Sequence, residues 1–282
     1  MLGSTLGEKM NATERTAAVA GAFYPGTRRE LERQLGSLVP DEPSRHDLLA
    51  CISPHAGYVY SGGVAGRLFA HLRVPGTVIV LGPNHTGIGA RVAVAPHLRW
   101  RTPLGIQVLD SELGNAVVDQ VPMAEFDVKA HQREHSIEVQ LPFLSRRRPD
   151  VQVLPICLQH LEFDECVEMG RALAELLRGF DEPAGIVASS DMSHYEPDEV
   201  ARGHDRLAID AVLRRDPREL YDTVERQRIS MCGVIPATVA LAAANLLGAT
   251  GAHLVEYATS GDITGDRSSV VGYAGMCIHR GR

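Results

Sequence analysis

Residues 52–63 read ISPHAGYVYSGG, and the rest of the chain is organised around them. The apolar run Leu48, Leu49, Ala50, Cys51 and Ile52 leads into this stretch and has the character of a buried strand. Ser53 and Pro54 stop the ladder, and His55 falls just past the strand end. Gly57, Gly62 and Gly63 surround Tyr58 and Tyr60 as a glycine-rich turn, and a helix-like run with Val64, Leu68, Phe69 and Leu72 follows. A strand that opens through such a turn onto a helix is where α/β folds place their chemistry. The group placed there is an imidazole.

The same pattern recurs downstream. Residues 77–81 are five of strand character, and they run into Gly82, Pro83, Asn84, His85, Thr86 and Gly87. Two such turns in one sheet bring both imidazoles to the same edge. A third short apolar strand, 185–189, delivers Ser190, Asp191, Met192, Ser193, His194 and Tyr195.

Between these landmarks the periodicity alternates. Thr27 is an N-cap for a helix carrying Leu31, Leu35 and Leu38. Strands are expected at 91–95, 105–109 and 151–157, and helices at 111–121, 163–177, 198–214 and 217–227. Ile137, Leu141 and Leu144 place a helix over 135–144, which Pro142 must end or bend. Cys232 and Gly233 open an almost wholly apolar helix to Leu247, and strands near 253–258 and 269–278 flank a turn at 261–266. No Pro/Ser-rich linker interrupts this order and no solenoid repeat is visible, so one α/β domain is expected over 17–282 after a disordered tail, 1–16.

Composition narrows the function. The chain has 282 residues, 44% of them hydrophobic and 22% charged, as in ordinary globular enzymes. A net charge of -7 argues against nucleic acid and anionic membrane as main partners, and Arg146, Arg147 and Arg148 read as a solvated helix end. No apolar run reaches the ~18 residues of a bilayer span. The opening MLGSTLGEKMNATERT lacks the apolar core of a secretion signal, and Cys51, Cys157, Cys166, Cys232 and Cys277 form no CxxC pair. A reducing cytoplasm is the expected compartment.

The candidate chemistry sits on four loops holding His55, His85, the Asp191/His194 pair and Cys232. An open divalent-metal site needs about three protein ligands and free positions for substrate or water. His55 and His85 supply two nitrogens, and the third ligand is either the Cys232 thiolate or the Asp191 carboxylate. Cys232 sits just before a helix, where the macrodipole favours a thiolate. With twelve histidines, chance neighbours are common, and a cysteine in an apolar run is more often inert filler. Residues 131–135 also spell H-x-x-E-H, an inverted zinc-peptidase motif. Ser136 as an N-cap would leave His131 outside the helix, so this match reads as accidental. His135 and Glu138 share a helical face and can line the same pocket. There is no P-loop, no GxGxxG after a strand and no GxSxG elbow.

Six segments taken together, AVAGAFYPG, SPHAGYVYSGG, LGPNHTG, EHSIEVQLPFL, SSDMSHY and CGVIPATVAL, resemble the Memo family, component B of AmmeMemoRadiSam systems. The resemblance runs from about Ala17 to the C-terminus and implies a fold similar to class III extradiol dioxygenases: a mixed central sheet flanked by helices. It implies a metal on His55, His85 and Cys232, the cysteine standing where those enzymes have a carboxylate. Asp191, His194 and His135 are then the pocket acid/base candidates. Fe(II) is the first cofactor expected, with copper or zinc as alternatives that the soft sulfur admits. The family segment often has two histidines after its Gly-Pro; here His85 is followed by Thr86.

Three functions follow as expectations. One is an iron-dependent oxygenase or redox enzyme working with radical-SAM and Amme-type partners. The second is a protein that binds metal, a small molecule or a peptide in the same pocket without turnover. The third, a zinc hydrolase, rests on H-x-x-E-H alone.

Overall fold

Val78 and Val80 point to one face of a sheet, Ile79 and Leu81 to the other, and all four are fully buried. Strands covered on both faces read as unbroken apolar runs, which is why this chain shows runs and not strict alternation. The computed structural model describes residues 14–96, 99–121, 123–179 and 183–281. In chain order its elements begin with β1 (Glu14–Arg15), α1 (Arg28–Leu38), β2 (His46–Asp47), β3 (Ala50–Ser53), α2 (Tyr58–His71) and β4 (Leu72–Arg73). Then come β5 (Thr77–Pro83), β6 (Val92–Val94), β7 (Arg99–Thr102), β8 (Gly105–Val108), α3 (Ser111–Gln120) and β9 (Ala124–Phe126). Two 3-10 turns, Lys129–His131 and Glu138–Gln140, lead to α4 (Leu141–Arg147). After β10 (Gln152–Leu158), α5 (Phe163–Arg178), β11 (Ala184–Ser189) and β12 (His194–Glu196) come α6 (Asp198–Leu213), α7 (Pro217–Gln227) and α8 (Val234–Leu246). The chain closes with β13 (Gly251–Thr259), α9 (Ser260–Thr264) and β14 (Val270–His279).

The main sheet has the order β12-β14-β3-β11-β5-β10-β6-β9, with β13 also on β14. Its centre, β3-β11-β5-β10, is parallel, while β14 on one side and β6 on the other run antiparallel. This is the mixed sheet flanked by helices that the sequence led us to expect. One face packs Leu113 of α3, Leu173 of α5, Ile209 of α6, Leu220 of α7 and Leu241 of α8. The other packs Leu35 of α1, Leu68 of α2 and Phe143 of α4. Each such fully buried leucine or phenylalanine stabilises by about 1.5–3 kcal/mol. Parallel order matters most for function, because the carboxyl ends of β3, β5 and β11 share one edge.

Four local expectations are corrected. Tyr58 and Tyr60 do not sit in a turn: Tyr60 and Ser61 already donate to the Gly57 carbonyl, so α2 starts at once and takes in Gly62 and Gly63. Pro142 opens α4 instead of ending a helix, since its missing N–H falls in the first turn, where it costs nothing. Residues within 261–266 are partly helical, because Thr259 and Asp262 form a capping box for α9.

The fourth concerns the N-terminus. Residues 1–13 of the expected tail lie outside the described residues, but Glu14 and Arg15 pair with Arg99 and Trp100. The Arg15 guanidinium is buried and finds Glu138 at 2.6 Å, the His131 carbonyl at 2.6 Å and the Glu134 carbonyl at 2.8 Å. A buried charge persists only when so partnered. Glu138 accepts further bonds from the Ala18 and Val19 amides and the Tyr24 hydroxyl. It therefore anchors the N-terminal segment and does not line a pocket with His135.

Candidate metal centre

His55 follows β3 and His85 follows β5, so both imidazoles reach the edge where the parallel strands end. The segment between the two 3-10 turns adds His135 to them. The ring centroids lie 5.1 Å apart for His55–His85, 5.5 Å for His55–His135 and 4.6 Å for the stacked pair His85–His135. One nitrogen from each ring falls within 4.8 Å of the other two. His55 is buried, while His85 and His135 remain partly open to solvent.

Hydrogen bonds fix two of the three tautomers. The Ser189 hydroxyl donates to the Ser136 carbonyl at 2.7 Å and accepts from the Gln140 amide at 2.9 Å. Its 2.9 Å partner His55 Nδ1 must then be the N–H donor, which leaves the Nε2 lone pair for a ligand. Glu134 does the same for His85: Oε1 accepts from Nδ1 at 2.9 Å and Oε2 from the backbone amide at 2.7 Å. A carboxylate behind an imidazole is the usual outer support of a metal-ligating histidine.

Electrostatics agree with that assignment. Burial, then the neighbouring His85 and His135 rings, hold His55 well below the ordinary imidazole value, so it stays neutral. Burial also lowers His135. For Glu134 burial alone would push the carboxyl up, but His85 and the Ser136 and His85 amides outweigh it and hold it down at about 2. Imidazole nitrogens backed by an ionised carboxylate are a donor set that suits iron, copper or zinc.

Cys232 and Asp191 border this group. The sulfur lies 3.2 Å from His55 Nε2 and accepts the Asp191 amide at 3.3 Å. Gly233 makes this approach feasible, since a side chain there would collide with the Ser189 carbonyl and Ser190. The thiol, however, is not lowered by the helix that follows. Burial, then the Asp191 carboxylate, push it well up, and α8 itself begins only at Val234. Asp191 spends Oδ1 on the His55 and Ala56 amides at 2.7 and 3.3 Å, and its Oδ2 is 4.0 Å from His55 Nε2. Burial pushes its carboxyl up to about 6 against those bonds. His194 sits half-buried at the rim, tied through its amide and Nδ1 to Ser230 at 2.7 and 2.8 Å.

The inverted zinc-peptidase geometry does not form. His131 Nε2 faces the Ala93 carbonyl at 3.0 Å, with its ring against Trp100, while His135 stands in the triad. Yet the motif was not empty: its Glu134 and His135 belong to the site. The sequence reading took His135 only as an acid/base group and passed over Glu134, Ser189 and Gln140. The one available signal was Glu134 flanked by histidines.

Comparison with known proteins agrees with the motifs. The family model described as Memo-like protein matches residues 15–277. A MEMO1 family protein of Aquifex aeolicus is 44% identical over 93% of this chain and 98% of its own length. One from Methanopyrus kandleri is 40% identical over 95% of this chain and 100% of its own. A solved structure, that of the uncharacterized protein JW3007 from Escherichia coli K12, is alike in fold. Its TM-score is 0.55 at 14% identity, covering 82% of this chain and 99% of that one.

Proposed function

We propose that this chain, which belongs to the Memo family, binds a divalent metal on His55, His85 and His135, with Cys232 beside them, and acts as a dioxygenase-like oxidoreductase. The observation that carries this reading is the pair of Nδ1–H bonds, to Ser189 and Glu134, that leave two Nε2 lone pairs for an ion. Fe(II) is the metal proposed first, with copper or zinc as alternatives compatible with the donors. Bound iron would supply open coordination positions and one-electron redox capacity.

The residues around it divide the remaining work. Glu134 keeps the His85 proton on Nδ1, and Asp191 holds the turn that carries His55. His194 donates Nδ1–H to the Ser230 carbonyl, so its Nε2 is the atom that accepts or returns a proton at the rim. Tyr60 and Tyr195 are exposed at 42% and 81% and offer rings for an organic substrate to lie against.

A second reading, binding without turnover, draws on Cys232. A thiol beside an oxygen-activating ion is itself readily oxidised. The same tyrosines would then hold a small molecule or a peptide. Action with radical-SAM and Amme-type partners belongs to the proposal on resemblance alone, and a cytoplasmic location on the cysteine pattern. All five cysteines are free, which fits a reducing compartment, and among the described residues no helix is long and apolar enough to cross a membrane.

The test is anaerobic purification followed by metal analysis of the native chain and of His55→Ala, His85→Ala, His135→Ala and Cys232→Ser. Near-stoichiometric iron that the histidine variants lose, with oxygen uptake on catechol-like compounds, supports the oxidoreductase. Metal retained without any turnover supports the binding reading. Metal content unchanged in all four variants would remove the site.

A further inference from the structure

A second set of imidazoles converges at the opposite end of the sheet. His279 ends β14, His253 lies near the start of β13, and His46 sits in β2 just ahead of β3. Because β14 is antiparallel to β3 and β13 antiparallel to β14, all three fall away from the edge that carries His55. Strand register makes the convergence specific. His253 faces Cys277 and Gly251 faces His279, so the two histidines are diagonal neighbours on one side of the ladder.

Gly251 lets the rings meet. A Cβ there would lie 2.7 Å from Cε1 and 2.9 Å from Nε2 of His279, so that imidazole lies across a position where only glycine leaves room. His279 Nδ1 is 3.0 Å from the Arg280 carbonyl and therefore carries the proton, leaving Nε2 as the lone-pair nitrogen. The centroids are 3.9 Å apart for the stacked pair His46–His279, 5.0 Å for His46–His253 and 5.4 Å for His253–His279. One nitrogen from each ring lies within 4.8 Å of the other two, and all three residues are half-buried.

We propose that His46, His253 and His279 form a second metal site, for a borderline divalent cation with zinc foremost. Three imidazoles with no carboxylate among them disfavour the hard, oxygen-seeking Mg²⁺ and Ca²⁺. Tetrahedral zinc with ligands at about 2.0–2.1 Å sets its nitrogens about 3.3 Å apart, so side-chain rotation closes the gap without moving a strand. A water would complete the shell, and His71 lies farther out, its ring 5.8 Å from that of His253. The ion has a route in, since His46 also lines a cavity of about 1000 Å³. Several arginines line that cavity and oppose a cation, but Arg73 is paired with Asp47 at 2.5 Å and Arg45 faces Glu42 at 4.0 Å. This site stands independently of the first.

The experiment uses the full chain, stripped with a chelator and carrying His55→Ala and His85→Ala so that the first centre is removed. Calorimetric titration with Zn²⁺ is expected to give one equivalent. Adding His253→Ala or His279→Ala should weaken it by more than the roughly 10- to 100-fold that losing an outer-shell partner costs. Gly251→Ala, which displaces the His279 ring, should weaken it less. In the native chain, imidazole ¹⁵N shifts of His46, His253 and His279 should move together on zinc addition, a readout that needs no variant to fold. Equal affinity with and without His253, or silence of those three rings, would overturn the site.

Discussion

Two triads of imidazoles occupy opposite ends of one sheet, and they differ in what holds their rings. At the carboxyl ends of the parallel strands, His55 and His85 are locked from behind by Ser189 and Glu134, the first bond buried and the second part-buried. At the other end the rings of His46, His253 and His279 pack against one another, and His279 Nδ1 donates to the Arg280 carbonyl. The first arrangement is preorganised by hydrogen bonds, whereas the second is set by strand register and one missing side chain. Preorganisation suits a site that must hold geometry during a reaction. A register-built cluster suits capture of an ion that then fixes the rings.

Removing the support of the first triad is the strongest way to break this contrast. Glu134→Ala orphans the His85 ring, three backbone amides and the charge balance around them. It should cost about 3 kcal/mol or more in urea unfolding and abolish metal retention at His85. If the variant keeps its metal, the carboxylate is not the support described. Ser189→Ala should cost less, about 1–3 kcal/mol, because it strands the His55 Nδ1–H and the Ser136 carbonyl, while the Gln140 amide keeps the Pro54 carbonyl. Metal affinity at the first triad should fall while zinc binding at the second is untouched.

Acid sharpens the comparison further. Burial, then the His46 and His279 rings, hold His253 down at about 4, below its ordinary 6.5. The unfolded chain then takes up the proton first, so this contribution is present above pH 6.5 and is lost as pH falls toward 4. Glu134, held at about 2 against 4.5 unfolded, adds stability present above pH 4.5 and lost as pH falls toward 2. Urea midpoints measured at descending pH should therefore show His253→Gln reducing the loss in the upper window and Glu134→Gln in the lower one. An identical pH profile for both variants would erase the distinction. The smallest effect expected is Gly251→Ala on stability, under about 1 kcal/mol, because the clash falls on the movable end of the His279 side chain.

Much of this protein follows from sequence alone, because the period of apolar residues is a local property. It set the order of the long strands and helices, and Pro and Gly beside His55 and His85 marked both as strand-end groups. Thr27 was legible as a cap for the same reason. The shape of 129–140 was not: the helical spacing of Ile137, Leu141 and Leu144 holds only from Leu141 onward, and 138–140 is a 3-10 turn. That shape is imposed by Arg15 and Glu138, buried together across 123 residues of sequence. That contact is what turns His135 and Glu134 inward and His131 away.

The Cys232 thiol shows the same division: its place before a helix was visible, but the burial that raises it was not. The second triad left no mark at all, because which strand residues face one another depends on register across distant strands. Sequence thus determined the principal elements and placed two histidines at strand ends, through spacing and turn chemistry. Tertiary structure decided which third ring joins them, since buried charges must find partners wherever the fold puts them.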